Sequence, residues 1–315
     1  MSKYRNGLPQ LKGDMFLTDG GLETFLFFQQ GIDMPEFAVF PLLETDAGRE
    51  EVTRYMERHI RIALDNRLGF IMETPTWRAN PDWAARLGYD RERLAEANQD
   101  AVRFMMALRD RYETADTKMV ISGNIGPRGD GYRPESTMTP DEAAAYHRDQ
   151  IDAFVEAGAD LVTTMTMTHV GEAAGIALAA RAANIASVIS FTTETDGRIP
   201  TGQTLGEAVE AVDALTDSAP VYYMVNCAHP THFDDALRTD AAWLKRLRGI
   251  RANASTRSHE ELDNSTELDE GNPVQLGAQY RAIRERLPHI TVLGGCCGTD
   301  HRHVEQICNA CRIAA

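Results

Sequence analysis

The chain has 315 residues, 43% of them hydrophobic, and its 32 Lys and Arg against 47 Asp and Glu leave a formal net charge of −15. That acidity argues against nucleic acid or an anionic membrane surface as a partner and favours a cationic small molecule. Its length admits one large α/β domain or two ordinary ones, while the absence of an apolar leader or a membrane-length apolar run, and five cysteines with two adjacent, point to a reduced, cytoplasmic protein with no membrane partner.

After an arm over residues 1–13 the chain repeats one unit: a short apolar run, a Gly/Pro/Asn-rich break, then a charged amphipathic stretch. Runs at 15–18, 68–73, 118–122, 161–165, 187–192, 221–226, 249–252 and 291–294 read as buried strands. Helical patterns lie between and after them at 49–66, 91–112, 140–157, 171–184, 205–215, 233–247, 273–287 and 301–311. Thr139-Pro140-Asp141-Glu142 shows the start signal, with a capping Thr, Pro at the first helical position and acids at the positive helix end. Eight strand–helix units predict a single parallel (β/α)8 barrel over residues 14–315. Two smaller α/β domains are the alternative, but no linker or composition shift divides the chain.

In such a barrel the chemistry gathers at the C-terminal ends of the strands. Cys227 closes Val225-Asn226-Cys227 after the sixth predicted strand, and Cys296 and Cys297 sit in Leu293-Gly294-Gly295-Cys296-Cys297-Gly298-Thr299 after the eighth. Three converging thiols point to Zn2+ held by three protein ligands with the fourth position open for chemistry. The competing reading is that buried cysteines pack as small hydrophobes, but flanking glycines, which permit close backbone approach, serve no packed core. The same rule nominates Asp19 of Asp19-Gly20-Gly21, Glu73 and Thr74 of Glu73-Thr74-Pro75-Thr76, and Asn124 of Asn124-Ile125-Gly126-Pro127. Each has a plainer reading as turn, loop cap or punctuation.

Other features carry less chemistry. Cys308 and Cys311 share one face of the last predicted helix, where they read as packing residues. His229 is the one histidine placed to join the thiols, and His301 and His303 begin the final helix. The acidic insertion 255–272 reads either as a mobile lid or as a solvated loop.

The motifs Thr18-Asp19-Gly20-Gly21-Leu22-Glu23-Thr24, Gly123-Asn124-Ile125-Gly126-Pro127, Gly158-Ala159-Asp160, Ile189-Ser190-Phe191-Thr192, Val225-Asn226-Cys227 and Gly294-Gly295-Cys296-Cys297-Gly298 resemble the homocysteine S-methyltransferase family, over roughly residues 14–310. The resemblance implies a zinc-bearing (β/α)8 barrel that moves a methyl group onto a thiol, typically homocysteine, giving methionine. Cys227, Cys296 and Cys297 match the family's zinc ligands, and Asp19 matches an aspartate near the amino-acid substrate. With the strand-end residues this gives a substrate-binding set of Asp19, Glu73, Thr74 and Asn226. One position departs from the pattern: where the family places Glu-Thr after strand four, its glutamate holding the substrate ammonium, this chain has Met165-Thr166. Either another carboxylate such as Glu73 takes that role, or the acceptor is a different thiol, because a lost charge-assisted hydrogen bond is expensive.

A free thiol, with a pKa of ~8.5, is mostly protonated at neutral pH; zinc deprotonates it, and three soft thiolate ligands keep the bound sulfur electron-rich. The expected reaction is in-line attack of the substrate thiolate on the methyl group of a cationic sulfonium or quaternary ammonium donor, with no protein nucleophile. S-methylmethionine ranks ahead of betaine, and Trp77, Phe25 and Tyr132 are the aromatic candidates for holding such a cation. Two rivals remain: a zinc hydrolase or lyase with Glu73 or His229 as general base, and a non-catalytic thiol- or metal-binding protein. The state of oligomerisation is left open.

Overall fold

The computed structural model describes residues 2–134 and 137–312. Eight strands, β1 (Phe16–Leu17), β2 (Gly69–Glu73), β3 (Met119–Ile125), β4 (Leu161–Met167), β5 (Ala186–Phe191), β6 (Tyr222–Asn226), β7 (Leu247–Ala252) and β8 (Val292–Gly295), close into a barrel in chain order. Every pairing is parallel, and β1 closes the ring by pairing Phe16 with both Gly69 and Val292. The helices are α1 (Leu22–Thr24), α2 (Asp46–Asn66), α3 (Pro81–Arg86), α4 (Arg91–Tyr112), α5 (Pro140–Ala157), α6 (Val170–Ala182), α7 (Leu205–Thr216), α8 (Pro230–Phe233), α9 (His259–Asp263), α10 (Pro273–Arg286) and α11 (His301–Cys311). Among the described residues no helix is long and apolar enough to cross a membrane.

The period of two along each strand divides the core. Leu17, Phe70, Met72, Met119, Ile121, Val162, Ile189, Val225, Ile250 and Leu293 face outward into the layer shared with the helices. The alternate residues Phe16, Ile71, Val120, Leu161, Val188, Met224 and Val292 meet inside the lower barrel. Two positions further along the strands the inward residues turn polar: Thr18, Glu73, Ser122, Thr163, Ser190, Asn226 and Arg251. The arm seals the apolar end. Leu8 packs against the lower interior, the amides of Lys3 and Tyr4 donate to Asp160 Oδ1 at 2.8 and 2.7 Å, and Asp160 Oδ2 accepts from buried Arg109 at 2.9 Å.

Local signals explain the long helices. At α5 the Thr139 side chain accepts from the Glu142 amide while Glu142 reaches back to the Thr139 amide, and Gly158 at φ 96° ends the helix. Thr204 and Glu207 repeat the reciprocal cap on α7.

One expectation is corrected. The helix expected over 233–247 is broken into α8 and two single 3-10 turns, Asp235–Leu237 and Ala242–Arg246, and β7 begins at Leu247. The cause is tertiary: Trp243 is buried against α7, where a Cβ on Gly206 would lie 2.5 Å from its indole nitrogen. The acidic insertion, expected as a lid or a solvated loop, contains α9, started by a reciprocal Ser258–Glu261 cap; the helix buries His259, while residues 260–272 are exposed or half-buried.

Candidate functional site

The three cysteines emerge on adjoining turns at the top of the barrel. Cys227 follows β6 in the left-handed region at φ 56°, a conformation disfavoured for a residue with a side chain. It is pinned there by its own amide, which donates to Arg251 O (3.0 Å), and by its carbonyl, which accepts from Asn253 Nδ2 (3.0 Å). Cys296 follows β8, its amide donating to Ala252 O (2.9 Å). The glycines before it are required by contact: a Cβ on Gly294 would meet Thr18 Oγ1 at 1.9 Å, and one on Gly295 would meet Thr299 Oγ1 at 1.9 Å. The Sγ atoms of Cys227, Cys296 and Cys297 all lie within 4.8 Å of one another. The Cys296–Cys227 and Cys227–Cys297 separations are 2.8 and 3.4 Å, well beyond an S–S bond of about 2.05 Å.

Polar neighbours fix this cluster. Asn226 Oδ1 accepts from Ser190 Oγ (2.6 Å) and the Thr166 amide (2.9 Å), which leaves Nδ2 3.8 Å from Cys296 Sγ. Arg251 donates through Nε to Gly295 O (2.9 Å) and through Nη2 to Asp19 Oδ1 (2.7 Å) and Gly20 O (3.1 Å). Burial works against its charge, but Asp19 and Glu73 hold the guanidinium firmly protonated. The other two thiols, with Arg251 and Asn226, favour the thiolate of Cys296, whereas burial pushes Cys227 well above the ordinary thiol range. Tyr132, from the loop after β3, places its hydroxyl 3.1 Å from Cys227 Sγ and 3.6 Å from Cys297 Sγ. Its ring stacks on His259 of α9, centroids 4.1 Å apart, and His259 Nε2 contacts Cys227 O at 2.6 Å.

A cavity of about 390 Å³ opens above the thiols. Of the residues expected at the site, Asn226, Cys227, Cys296 and Cys297 line it, together with Asn124, Trp77 and Tyr132. Asp19, Glu73 and Thr74 do not. Asp19 is buried in its pair with Arg251, its second oxygen 3.3 Å from the Tyr55 hydroxyl. Glu73 points into the barrel below the cavity, with Oε2 unpartnered among the described residues, and burial raises its carboxyl to about 7. Thr74 Oγ1 is spent on Thr76 Oγ1 (2.7 Å) and the Asn124 amide (2.9 Å). Phe25 is buried against Tyr55 instead of facing the cavity. His229 caps α8 and contacts Thr231 Oγ1 (2.8 Å), and Cys308 and Cys311 are buried on α11 outside the thiol group.

Among the cavity-lining residues that the sequence reading gave no role are Arg251, His259, Glu23 and Arg78. A charge inside a stretch expected as buried strand was the available signal for Arg251. Met165 does line the cavity at the position of the family glutamate, and Thr166 beside it takes φ 60° where the β4–β5 register slips. Glu23 on α1 borders the cavity near Cys296, and burial raises its carboxyl to about 7, with Cys296 and Asp19 adding to the shift.

Comparison with known proteins agrees with this geometry. Homocysteine S-methyltransferase YbgG of Bacillus subtilis (strain 168) is 26% identical over 199 residues, 60% of this chain and 61% of its own length; the match thus spans less than two thirds of that relative. The homocysteine methyltransferase MmuM of Escherichia coli shares the fold. Its oxidized form gives a TM-score of 0.75 at 20% identity, covering 97% of this chain and 99% of that one. Its metallated form gives 0.73 at 19% identity, covering 96% and 99%. The family model described as homocysteine S-methyltransferase matches residues 16–311, and with that span the chain belongs to the homocysteine S-methyltransferase family.

Proposed function

We propose that this protein transfers a methyl group from a cationic sulfonium or quaternary ammonium donor to a thiol, with homocysteine as the acceptor and methionine as the product. In this reading Cys227, Cys296 and Cys297 hold Zn2+. The observation that carries it is the grouping of three Sγ atoms within 4.8 Å, at the floor of a cavity, with no fourth His, Cys, Asp or Glu joining them among the described residues. Three thiolates suit zinc and leave one position for a substrate sulfur. When bound, zinc supplies the Lewis acidity that keeps a substrate thiol deprotonated at neutral pH.

The remaining work falls to the chain's own residues. Asn226 aims its amide at Cys296 and Arg251 places a buried cation beside it, so the negative charge gathered there is partly offset. Asp19, Glu73 and Thr74 act from beneath the cavity: the two carboxylates hold Arg251, and Thr74 joins the ends of β2 and β3. Trp77 and Tyr132 line the cavity and bring aromatic rings to the place of a sulfonium or quaternary ammonium methyl group. A hydrolase or lyase would need a general base beside the metal, and the two residues named for that role, Glu73 and His229, do not border the cavity. S-methylmethionine is the first donor and betaine the second.

The test is zinc content of reduced, metal-replete protein together with methionine formation from S-methylmethionine and homocysteine, for wild type and Cys296→Ala. The expected result is about one zinc per chain, with both zinc and methionine formation lost in the variant. Absence of zinc in the wild type overturns the reading. Zinc without homocysteine methylation from either donor overturns the acceptor.

A further inference from the structure

Of the charged side chains that line the cavity, Glu23, Arg78, Asp130, Asp263 and Glu267 form no ion pair with a described residue, and Arg78 is the one cation among them. Glu23, following β1, lines it and forms no hydrogen bond or ion pair with a described side chain. Arg78, following the neighbouring strand β2, lines it too. The Arg78 guanidinium is clamped between rings, its carbon 4.2 Å from the Trp77 centroid and 3.7 Å from that of Trp83. Its one hydrogen bond runs from Nη1 to Gly129 O at 3.3 Å, and Nε is buried with no partner among the described residues. The clamp removes most of the side chain's freedom while its donors stay unspent, which is how a site is preorganised for a planar anion. The fields that act most on Arg78 are, in order, those of Asp130, Tyr132 and Glu23, and that of Cys296 reaches Glu23, so thiols, carboxylates and guanidinium share one region of the cavity.

Resting on the methyltransferase reading above, we propose that Glu23 and Arg78 form a recognition pair for a zwitterionic α-amino thiol, Glu23 receiving the ammonium group and Arg78 the carboxylate. A simple alkyl thiol would leave both charges unpaired in a partly desolvated cavity, and a dicarboxylate would face Glu23 with a like charge. A zwitterion satisfies both. The pair also accounts for Met165. With an apolar side chain at the end of β4, the anionic contact is supplied from the segment after β1, by a residue on α1.

The experiment uses zinc-loaded protein and three thiols: homocysteine, 4-mercaptobutanoate, which lacks the ammonium group, and 3-mercaptopropylamine, which lacks the carboxylate. Binding by calorimetry and acceptor KM are both recorded. Glu23→Gln is expected to weaken homocysteine and 3-mercaptopropylamine by about tenfold or more while leaving 4-mercaptobutanoate within about twofold, as loss of one charge-assisted contact requires. Arg78→Met is expected to show the converse pattern, and Glu23→Asp and Arg78→Lys, which keep the charges, to recover part of the discrimination. Equal weakening of all three thiols by either Gln or Met variant overturns the pair, as does a change confined to the KM of the donor. If wild-type protein methylates homocysteine and Glu23→Gln does so with unchanged KM and affinity, the pair fails and the methyltransferase stands. If wild-type protein neither binds nor methylates homocysteine, the function itself fails and the pair with it.

Discussion

The lower and upper halves of the barrel interior are built from the same strands, two residues apart, yet they do opposite things. Below, Phe16, Ile71, Val120, Leu161, Val188, Met224 and Val292 fill the space with apolar side chains, and Leu8 closes it. Above, Glu73, Asn226 and Arg251 face the same axis and must find polar partners, because an unpaired buried polar group is costly. Arg251 finds three acceptors and Asn226 finds two donors, while Glu73 retains an unpartnered oxygen. The lower half therefore contributes stability, and the upper half spends some of it to hold thiols, carboxylates and two guanidiniums around a cavity.

The largest effect that would break this contrast is removal of its buried cation. Arg251→Met strands Asp19 as an uncompensated buried charge and leaves the carbonyls of Gly20 and Gly295 without their donor; urea unfolding is expected to show a loss of about 3 to 5 kcal/mol. The double variant Asp19→Leu/Arg251→Met is expected to recover much of that stability but not methyl transfer, since the cation beside Cys296 is still missing. Recovery of both would make the pair purely structural.

Much of the barrel was legible because parallel strands covered on both faces read as apolar runs, and all eight runs fall on strands. Helices with sequence-local caps were equally plain, as at Thr139-Pro140. The stretch over 233–247 was not, because the contact that breaks it, Trp243 against Gly206, lies 37 positions away in sequence. At the site the glycines around Cys296 were legible as close-approach positions, and the structure supplies the contacts that demand them. Glu23 stood inside a quoted motif without a role, since only the path of α1 brings it to the cavity rim. His259 was hidden in an acidic insertion whose composition says solvent, although a reciprocal cap at Ser258–Glu261 was there to be read. Asp19 and Glu73 were placed at the correct strand ends, but whether a strand-end carboxylate meets a substrate or an arginine depends on strands that are not its neighbours, and β7 supplies the arginine.

A smaller effect concerns Glu73 and has a definite sign. Burial raises its carboxyl from 4.5 to about 7 in the folded protein, so the folded state holds a proton that the unfolded chain releases across that window. Stability contributed at this position is therefore present below pH 4.5 and declines as pH rises toward 7, by roughly 3 kcal/mol in all. Glu73→Gln, which mimics the protonated form, is expected to flatten the dependence and to be the more stable protein at pH 8, with the two nearly equal at pH 4.5. A variant less stable than wild type at pH 8 would mean that the ionised carboxylate's attraction to Arg251 outweighs its desolvation.

The smallest effect isolates the lower half. Leu8 is almost fully buried against the inward residues of the strands, and its replacement by Ala should cost about 2 kcal/mol or somewhat more, through lost transfer energy and a residual cavity. The arm is held independently by the amides of Lys3 and Tyr4 on Asp160 and by Arg5 on the carbonyl of Ala159 at 2.7 Å, so it should stay docked and the cavity should persist. Because no described residue of the arm borders the upper cavity, the acceptor KM and the zinc content of Leu8→Ala should match wild type at temperatures where both are folded. A raised KM or partial zinc loss would show that packing in the apolar half is transmitted along the strands to the thiols, and that the two halves are one mechanical unit.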